Sequence, residues 1–195
     1  MPAKPELTAR KERLRAQLRA LRDKFPPVDP AIWTARIAPL LRDSPIVACY
    51  APVPNEPNLW DLIETLRSQA VRVLLPVLRT EPDWADYTGL GGLRPGAGGI
   101  LMPDGPRLGI AALGSAAAII LPGLAGTPTG ERLGTGGGWY DRALRYASPQ
   151  AIRVLALYDS ELLPELPTQD WDQPVDWIVT PSRTLRCRGT AARRD

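Results

Sequence analysis

Between Gly130 and Arg142 the chain reads Gly-Glu-Arg-Leu-Gly-Thr-Gly-Gly-Gly-Trp-Tyr-Asp-Arg. Five glycines in the first nine of these positions leave backbone amides uncovered by side chains, and such amides can converge on phosphate oxygens, most readily where a helix begins. Arg132 and Arg142 add charge-assisted donors for phosphate, and Asp141 offers a carboxylate oxygen to magnesium. Two familiar phosphate loops do not fit. A P-loop needs Gly-Lys followed by Ser or Thr, and the dinucleotide fingerprint needs a small third residue where Trp139 stands. The structural alternative is a glycine-rich turn that only lets a strand and a helix pack closely; two arginines and an aspartate in the same stretch favour a nucleotide.

A second candidate is Tyr50-Ala51-Pro52-Val53-Pro54-Asn55-Glu56-Pro57, directly after a buried strand. Ligands of open parallel sheets bind beyond the carboxyl ends of strands, so Glu56 stands where it can accept hydrogen bonds from a polar heterocycle. The alternative for Glu56 is a loop acid that caps the next helix. A third candidate is a ridge of Lys11, Arg15, Arg19 and Arg22, which share one edge of a helix because residues four and seven apart lie on one face. By itself such a ridge is an ordinary solvated face or a nucleic-acid patch. Of the 6 tryptophans, most are expected in or around the core, with Trp139 placed to cover a ligand.

Several chemistries are excluded by composition. With no histidine, the chain has no Ser-His-Asp or Cys-His pair and no imidazole metal ligand. The 2 cysteines, Cys49 and Cys187, form no Cys-x-x-Cys pair, which argues against zinc, redox and disulfide roles and for a reducing, cytoplasmic setting. The net charge of +3 is near balance. Basic residues crowd both ends while the middle is acidic, which weakens a nucleic-acid reading. The apolar run Ala111 to Leu121 is too short to span a membrane. An Arg-rich start resembles a transit peptide, but Glu6, Glu12 and Asp23 are foreign to one.

These candidates must be positioned by a chain of 195 residues, enough for one sizeable core. Leu14, Leu18, Leu21 and Phe25 predict an amphipathic helix from about Pro5 to Lys24, ended by Pro26-Pro27. A second helix from Asp29 or Pro30 runs to Ser44-Pro45. Strands are predicted at 46–50, 71–78, 116–121, 152–158 and 175–179, with helices at 59–66 and from Trp139 to Tyr146. Residues 79–115 read as irregular, with short strands near Trp84 to Tyr87, and the basic tail after about 183 as frayed. The expectation is α/β: a single layered domain, residues 1–195, whose mostly parallel central sheet is flanked by helices.

Taken together, Lys11-x-x-x-Arg15, Tyr50-x-Pro-x-x-x-Glu56-Pro and Gly130-x-Arg-Leu-Gly-x-Gly-x-Gly-x-Tyr-Asp-Arg142, with Trp171-Asp172-x-Pro-Val-Asp176 and Val179-Thr-Pro181, resemble the 5-formyltetrahydrofolate cyclo-ligase family over roughly Lys11 to Pro181. The resemblance implies ATP- and Mg2+-dependent closure of 5-formyltetrahydrofolate to 5,10-methenyltetrahydrofolate through a phosphorylated formyl group. It implies ATP contacts from Lys11, Arg15, Arg132, Gly134, Thr135, Gly136, Gly137, Gly138, Trp139, Tyr140 and Arg142. Folate contacts would come from Ala51, Glu56, Gly136, Gly138 and Tyr140, and a magnesium contact from Asp141. Arg142, Asp141 and Arg132 would carry the phosphoryl transfer. The chain departs from the family pattern at Gly126, Met102 and Trp171, the last standing where histidine is common. The expected partners are ATP and the folate, with no nucleic acid or membrane, and the expected state is a monomer. The alternatives are a relative that binds nucleotide but has lost or changed the folate activity, a nicotinamide-dependent oxidoreductase, and a nucleic-acid-binding module.

Overall fold

The computed structural model describes residues 4–96, 99–169 and 171–188. Val47, Ala48 and Cys49 show how its centre is built: Val47 and Cys49 belong to one apolar cluster and Ala48 to another. The same alternation holds for Val73, Leu74 and Leu75, for Ile119 and Ile120, and for Val154 and Leu155. Side chains of a strand point alternately to its two faces, so a strand buried on both faces reads as an unbroken apolar run.

These runs form a seven-stranded sheet whose order is β11-β10-β9-β6-β1-β2-β3. The core strands β1 (Ile46–Ala48), β2 (Arg72–Val77), β6 (Ala118–Leu121), β9 (Ile152–Ala156) and β10 (Trp177–Val179) pair in parallel. The edge strands β3 (Asp83–Asp86) and β11 (Thr184–Arg186) are antiparallel to their neighbours. Helices α2 (Pro30–Ile37) and α3 (Trp60–Ser68) cover one face through Trp33, Ile37, Leu62, Ile63 and Leu66. Asp29 caps α2 by accepting from the Ala31 amide at 2.9 Å, with Pro30 in the first turn. The expected parallel, helix-flanked α/β architecture is therefore present.

The chain leaves β1 toward β2 on one side and later returns to add β6 on the other side of β1. The carboxyl ends of β1 and β6 thus flank a switch point, where open α/β sheets open a crevice for ligands. The Tyr50–Pro57 loop follows β1, and the glycine-rich segment follows β6.

Several elements differ from the sequence reading. Residues 79–115 hold more order than expected: besides β3, β4 (Leu93–Pro95) and β5 (Leu101–Pro103) form a hairpin, and Ile110–Ser115 is a 3-10 turn. A small hairpin of β7 (Ala125–Gly126) and β8 (Arg132–Leu133) precedes the glycines. Strands of two or three residues are too short to show periodicity. Beyond residue 183 the chain is not frayed at once: β11 pairs with β10 and Cys187 is buried. The rest of the predicted tail lies outside the described residues.

Helix α1 (Lys4–Arg22) packs on loops instead of on the sheet. Leu18 and Leu14 meet Leu124, Ala125 and Leu133 of the β7–β8 region, but Leu21 is 38% exposed while Arg22 and Lys11 are buried. The apolar stripe is narrower than predicted, and the two ends of the basic ridge, Lys11 and Arg22, turn inward while Arg19 stays exposed. Loops present carbonyls and carboxylates, which basic side chains can satisfy and leucines cannot.

Candidate active site

The glycine-rich loop is held by its carbonyls. Arg15 Nε donates to Gly134 O at 2.9 Å, Arg19 Nη2 to Thr135 O at 2.6 Å and Arg142 Nη1 to Gly137 O at 3.2 Å. With the carbonyls so occupied, the amides of Thr135, Gly136, Gly137 and Gly138 have no protein acceptor among the described residues. Gly136, at φ 113°, and Gly138, at φ 62°, hold conformations that side chains rarely adopt. The loop is therefore a set of unsatisfied donors on a fixed frame, which suits an anion. Helix α4 (Trp139–Ala143) that follows has only five residues before Leu144–Tyr146 tightens to a 3-10 turn. The helix predicted from Trp139 to Tyr146 is thus split, and the loop amides, not a helix dipole, are the donors available.

This loop lines a cleft of about 290 Å³ together with Lys11, Arg15, Arg132, Trp139, Tyr140, Asp141 and Asp172. Lys11 Nζ meets Asp172 Oδ2 at 2.5 Å and Gln169 Oε1 at 3.1 Å, with the Lys11 side chain 6% exposed. Arg132 donates to Asp141 Oδ1 at 2.6 Å and to Pro122 O at 3.2 Å, and its buried Nε has no partner among the described residues. Trp139 packs edge-on against Trp84 at 5.4 Å and is partly buried against the core. The buried Tyr140 hydroxyl also lacks a partner among the described residues, and burial pushes its pKa well above the usual phenol value. Arg142, expected to face phosphate, is not among the lining residues; its guanidinium spans Gly137 O and Thr80 O, tying the loop to the segment after β2.

Glu56 lies in a separate cavity of about 430 Å³, lined by Arg22, Phe25, Pro26, Pro27, Val28, the Pro52–Glu56 loop, Asn58, Trp60 and Tyr158. It accepts from the Val53 amide at 3.2 Å, while Asn58 accepts from the Trp60 amide at the start of α3. The capping alternative for Glu56 is thereby excluded. Burial raises the Glu56 pKa, opposed by the Val53 amide and the Arg22 charge. Ala51 is buried and is not among the lining residues, although Pro52 next to it is.

Sequence reasoning missed much of this second cavity. Arg22 makes a two-point ion pair with Glu161, at 2.5 and 2.9 Å, donates to Gly123 O and lies 5.7 Å over the Tyr158 ring. Phe25 packs on the same ring at 4.8 Å. Tyr158 follows β9, so extending the strand-end rule from β1 to β9 identifies it, and Arg22 was already on the basic ridge.

Three carboxylates line the cleft: Glu12 and Asp172 are paired with Arg15 and Lys11, and Asp141 is held by Arg132 beside the loop; among the described residues no group of three or more His, Cys, Asp or Glu side chains gathers to cage a metal ion. That donor set fits a hard cation arriving on phosphate oxygens, since magnesium keeps most of its waters and takes only one or two protein carboxylates. No helix among the described residues is long and apolar enough to cross a membrane.

Residues 4–181 match the sequence profile of the 5-formyltetrahydrofolate cyclo-ligase family. A 5-formyltetrahydrofolate cyclo-ligase of Mycolicibacterium smegmatis is 36% identical over 151 residues, covering 71% of this chain and 75% of that protein. The solved structure of a 5,10-methenyltetrahydrofolate synthetase from Aquifex aeolicus superposes with a TM-score of 0.76 at 27% identity, over 91% of this chain and 93% of that one. A second, from Mycoplasma pneumoniae, gives 0.67 at 20% identity over 87% and 97%, which speaks to fold alone.

Proposed function

The chain belongs to the 5-formyltetrahydrofolate cyclo-ligase family, and on that footing we propose that residues 1–195 act as one unit converting 5-formyltetrahydrofolate and ATP into 5,10-methenyltetrahydrofolate, ADP and phosphate. The observation that carries this reading is a pair of chemically different cavities beyond the carboxyl ends of adjacent strands β1 and β6. One offers unpartnered amides and cations to phosphates; the other offers aromatic walls and a buried acid to a flat, polar heterocycle.

In this reading Lys11, Arg15 and the amides of 134–138 hold the triphosphate, with Trp139 and Tyr140 along the cleft and Arg132 setting the Asp141 carboxylate. Asp141 would hold magnesium arriving with ATP, and the ion would supply neutralisation of phosphate charge there. Glu56 accepts hydrogen bonds from the folate, with Ala51 behind it. The formyl oxygen attacks the terminal phosphorus, and the bond to the ADP oxygen breaks. The ten-position nitrogen then attacks the activated formyl carbon and loses its proton; the carbon–oxygen bond breaks and phosphate departs carrying the former formyl oxygen. An amide oxygen is a poor leaving group and phosphate a good one, so the protein's task is alignment and charge neutralisation. That task needs no histidine.

Purified protein mixed with 5-formyltetrahydrofolate, ATP and magnesium should develop the near-ultraviolet band of the methenyl product, and mixtures lacking ATP or metal should not. ATP binding without that band would favour the second reading, a nucleotide-binding relative that has lost or changed the folate step.

A further inference from the structure

Trp171 presents 42% of its surface to solvent, unusual for so large an apolar side chain. It borders two spaces. One is the loop cleft; the other is a shallow, mainly apolar groove of about 530 Å³ against the first turns of α1, formed with Pro5, Thr8, Ala9 and Gln169. Thr8, Gln169 and Trp171 belong to both, so the groove continues the polar cleft outward.

The residues around the indole are fixed to α1. Asp172 and Gln169 both bind Lys11 Nζ, the Gln169 amide donates to Asp172 Oδ2 at 2.8 Å, and the Asp172 amide returns to Gln169 O at 2.9 Å. The exposed ring is thus carried on a turn pinned to the helix that also supplies Arg15 and Arg19 to the glycine-rich loop.

A polar, amide-lined cleft opening onto an apolar groove edged by an indole, a hydroxyl and a carboxamide matches a bipartite ligand: polyanionic at one end, flat and hydrogen-bonding at the other. We propose that Trp171 is the stacking platform for the base of the nucleotide whose phosphates occupy the loop cleft, and so a specificity-determining residue for nucleotides over bare polyphosphates. This rests on the reading of the cleft as a nucleoside triphosphate site. A shallow groove suffices, because stacking needs only one aromatic face. Among the other cavities, the aromatic one around Glu56 lies on a different lining set, and that around Thr129, Glu131 and Gln173 has no aromatic wall among the described residues.

The test compares ATP and ADP with inorganic tripolyphosphate, which carries the anionic part alone. Trp171→Ala should raise the KM for ATP and the inhibition constant of ADP by about tenfold, with the loss falling on KM instead of kcat. The inhibition constant of tripolyphosphate should stay within about twofold of its original value, and Trp171→Phe should restore most of the ATP affinity. An unchanged KM in Trp171→Ala overturns the proposal. So does a parallel loss of tripolyphosphate and ADP binding, which would mean that Trp171 only shapes the turn. If the unaltered protein binds neither ATP nor tripolyphosphate, the cleft is not a nucleotide site and both readings fall; tripolyphosphate binding without any preference for ATP removes the platform alone.

Discussion

The two cavities beside β1 and β6 are built by opposite means. Around the glycine-rich loop the arginines act on the backbone: Arg15, Arg19 and Arg142 hold carbonyls, leaving amides to face the cleft. Around Glu56 the side chains themselves form the surface, with Phe25, Trp60 and Tyr158 as walls and Arg22 locked to Glu161. Backbone donors recognise a charge pattern shared by all nucleoside triphosphates, whereas side-chain walls recognise one shape. Changes of backbone conformation should therefore injure the first cavity, and changes of side chain the second.

The largest effect is expected from Gly136→Val. At φ 113° a β-branched residue cannot keep the loop conformation, although its Cβ would stand in ordinary contact, 3.6 Å from Arg15 Nε. The loss is then conformational. Misplaced amides should lower kcat/KM for ATP by about hundredfold, with little change in folate KM. Equal loss for both substrates in steady-state kinetics would show that the two cavities do not work independently.

Glu56→Gln sharpens the other side. It keeps shape and removes charge, so folate KM should rise about thirtyfold, the range for losing a charged hydrogen-bond partner, while ATP KM holds. Because burial raises the Glu56 pKa, the carboxylate gains its proton at a higher pH than an ordinary glutamate. Folate KM in the unaltered protein should climb as pH falls through that raised value, and the Gln variant should lack this limb. Ionisation of Glu56 also costs stability in the fold, so the Gln variant should melt no lower than the parent at pH 8. A KM for the folate independent of pH, or a sharply lower melting temperature, would place Glu56 in a structural role.

Arg142→Ala is expected to do less than a phosphate-binding arginine should. It removes two exposed bonds of 3.2 Å to Gly137 O and Thr80 O, each worth about 0.5 kcal/mol, and so should raise ATP KM about fivefold by loosening the loop. A loss of about thousandfold in kcat, the scale of a transition-state arginine, would show that Arg142 leaves these carbonyls to meet the reacting phosphate.

Arg142 also marks where the sequence stopped being legible. Its motif announced proximity to phosphate, but which way a guanidinium turns depends on Thr80, 62 positions away. The sheet was readable because buried parallel strands give long apolar runs: Ile46 to Cys49 and Ala118 to Leu121 both read as such. The hairpins at 93–103 and 125–133 were not, since their strands of two or three residues carry no period. The basic ridge was legible as a ridge, and the family pattern implied ATP contacts from Lys11 and Arg15 on it. Arg22 facing Glu161 was not, because a charge on a helix edge ordinarily points to water, and its partner arrives 139 residues later.

The smallest expected effect is also the one with the least obvious sign. Lys11 and Asp172 meet at 2.5 Å with side chains 6% and 18% exposed, so a nucleotide entering the cleft encounters an ammonium already neutralised and a carboxylate of its own sign. Asp172→Asn retains an acceptor for the Gln169 amide but leaves the Lys11 charge uncompensated beside the loop amides. Triphosphate can supply that missing negative charge, and the repulsion it previously met is gone. ATP KM should accordingly fall by about threefold, the scale of a partly exposed ion pair, and salt should weaken ATP binding more steeply in the variant. Isothermal titration at two ionic strengths measures both. A rise in KM instead would mean that Asp172 holds Lys11 in its working position, so that the cleft, like the folate cavity, depends on side-chain placement as well as on its backbone.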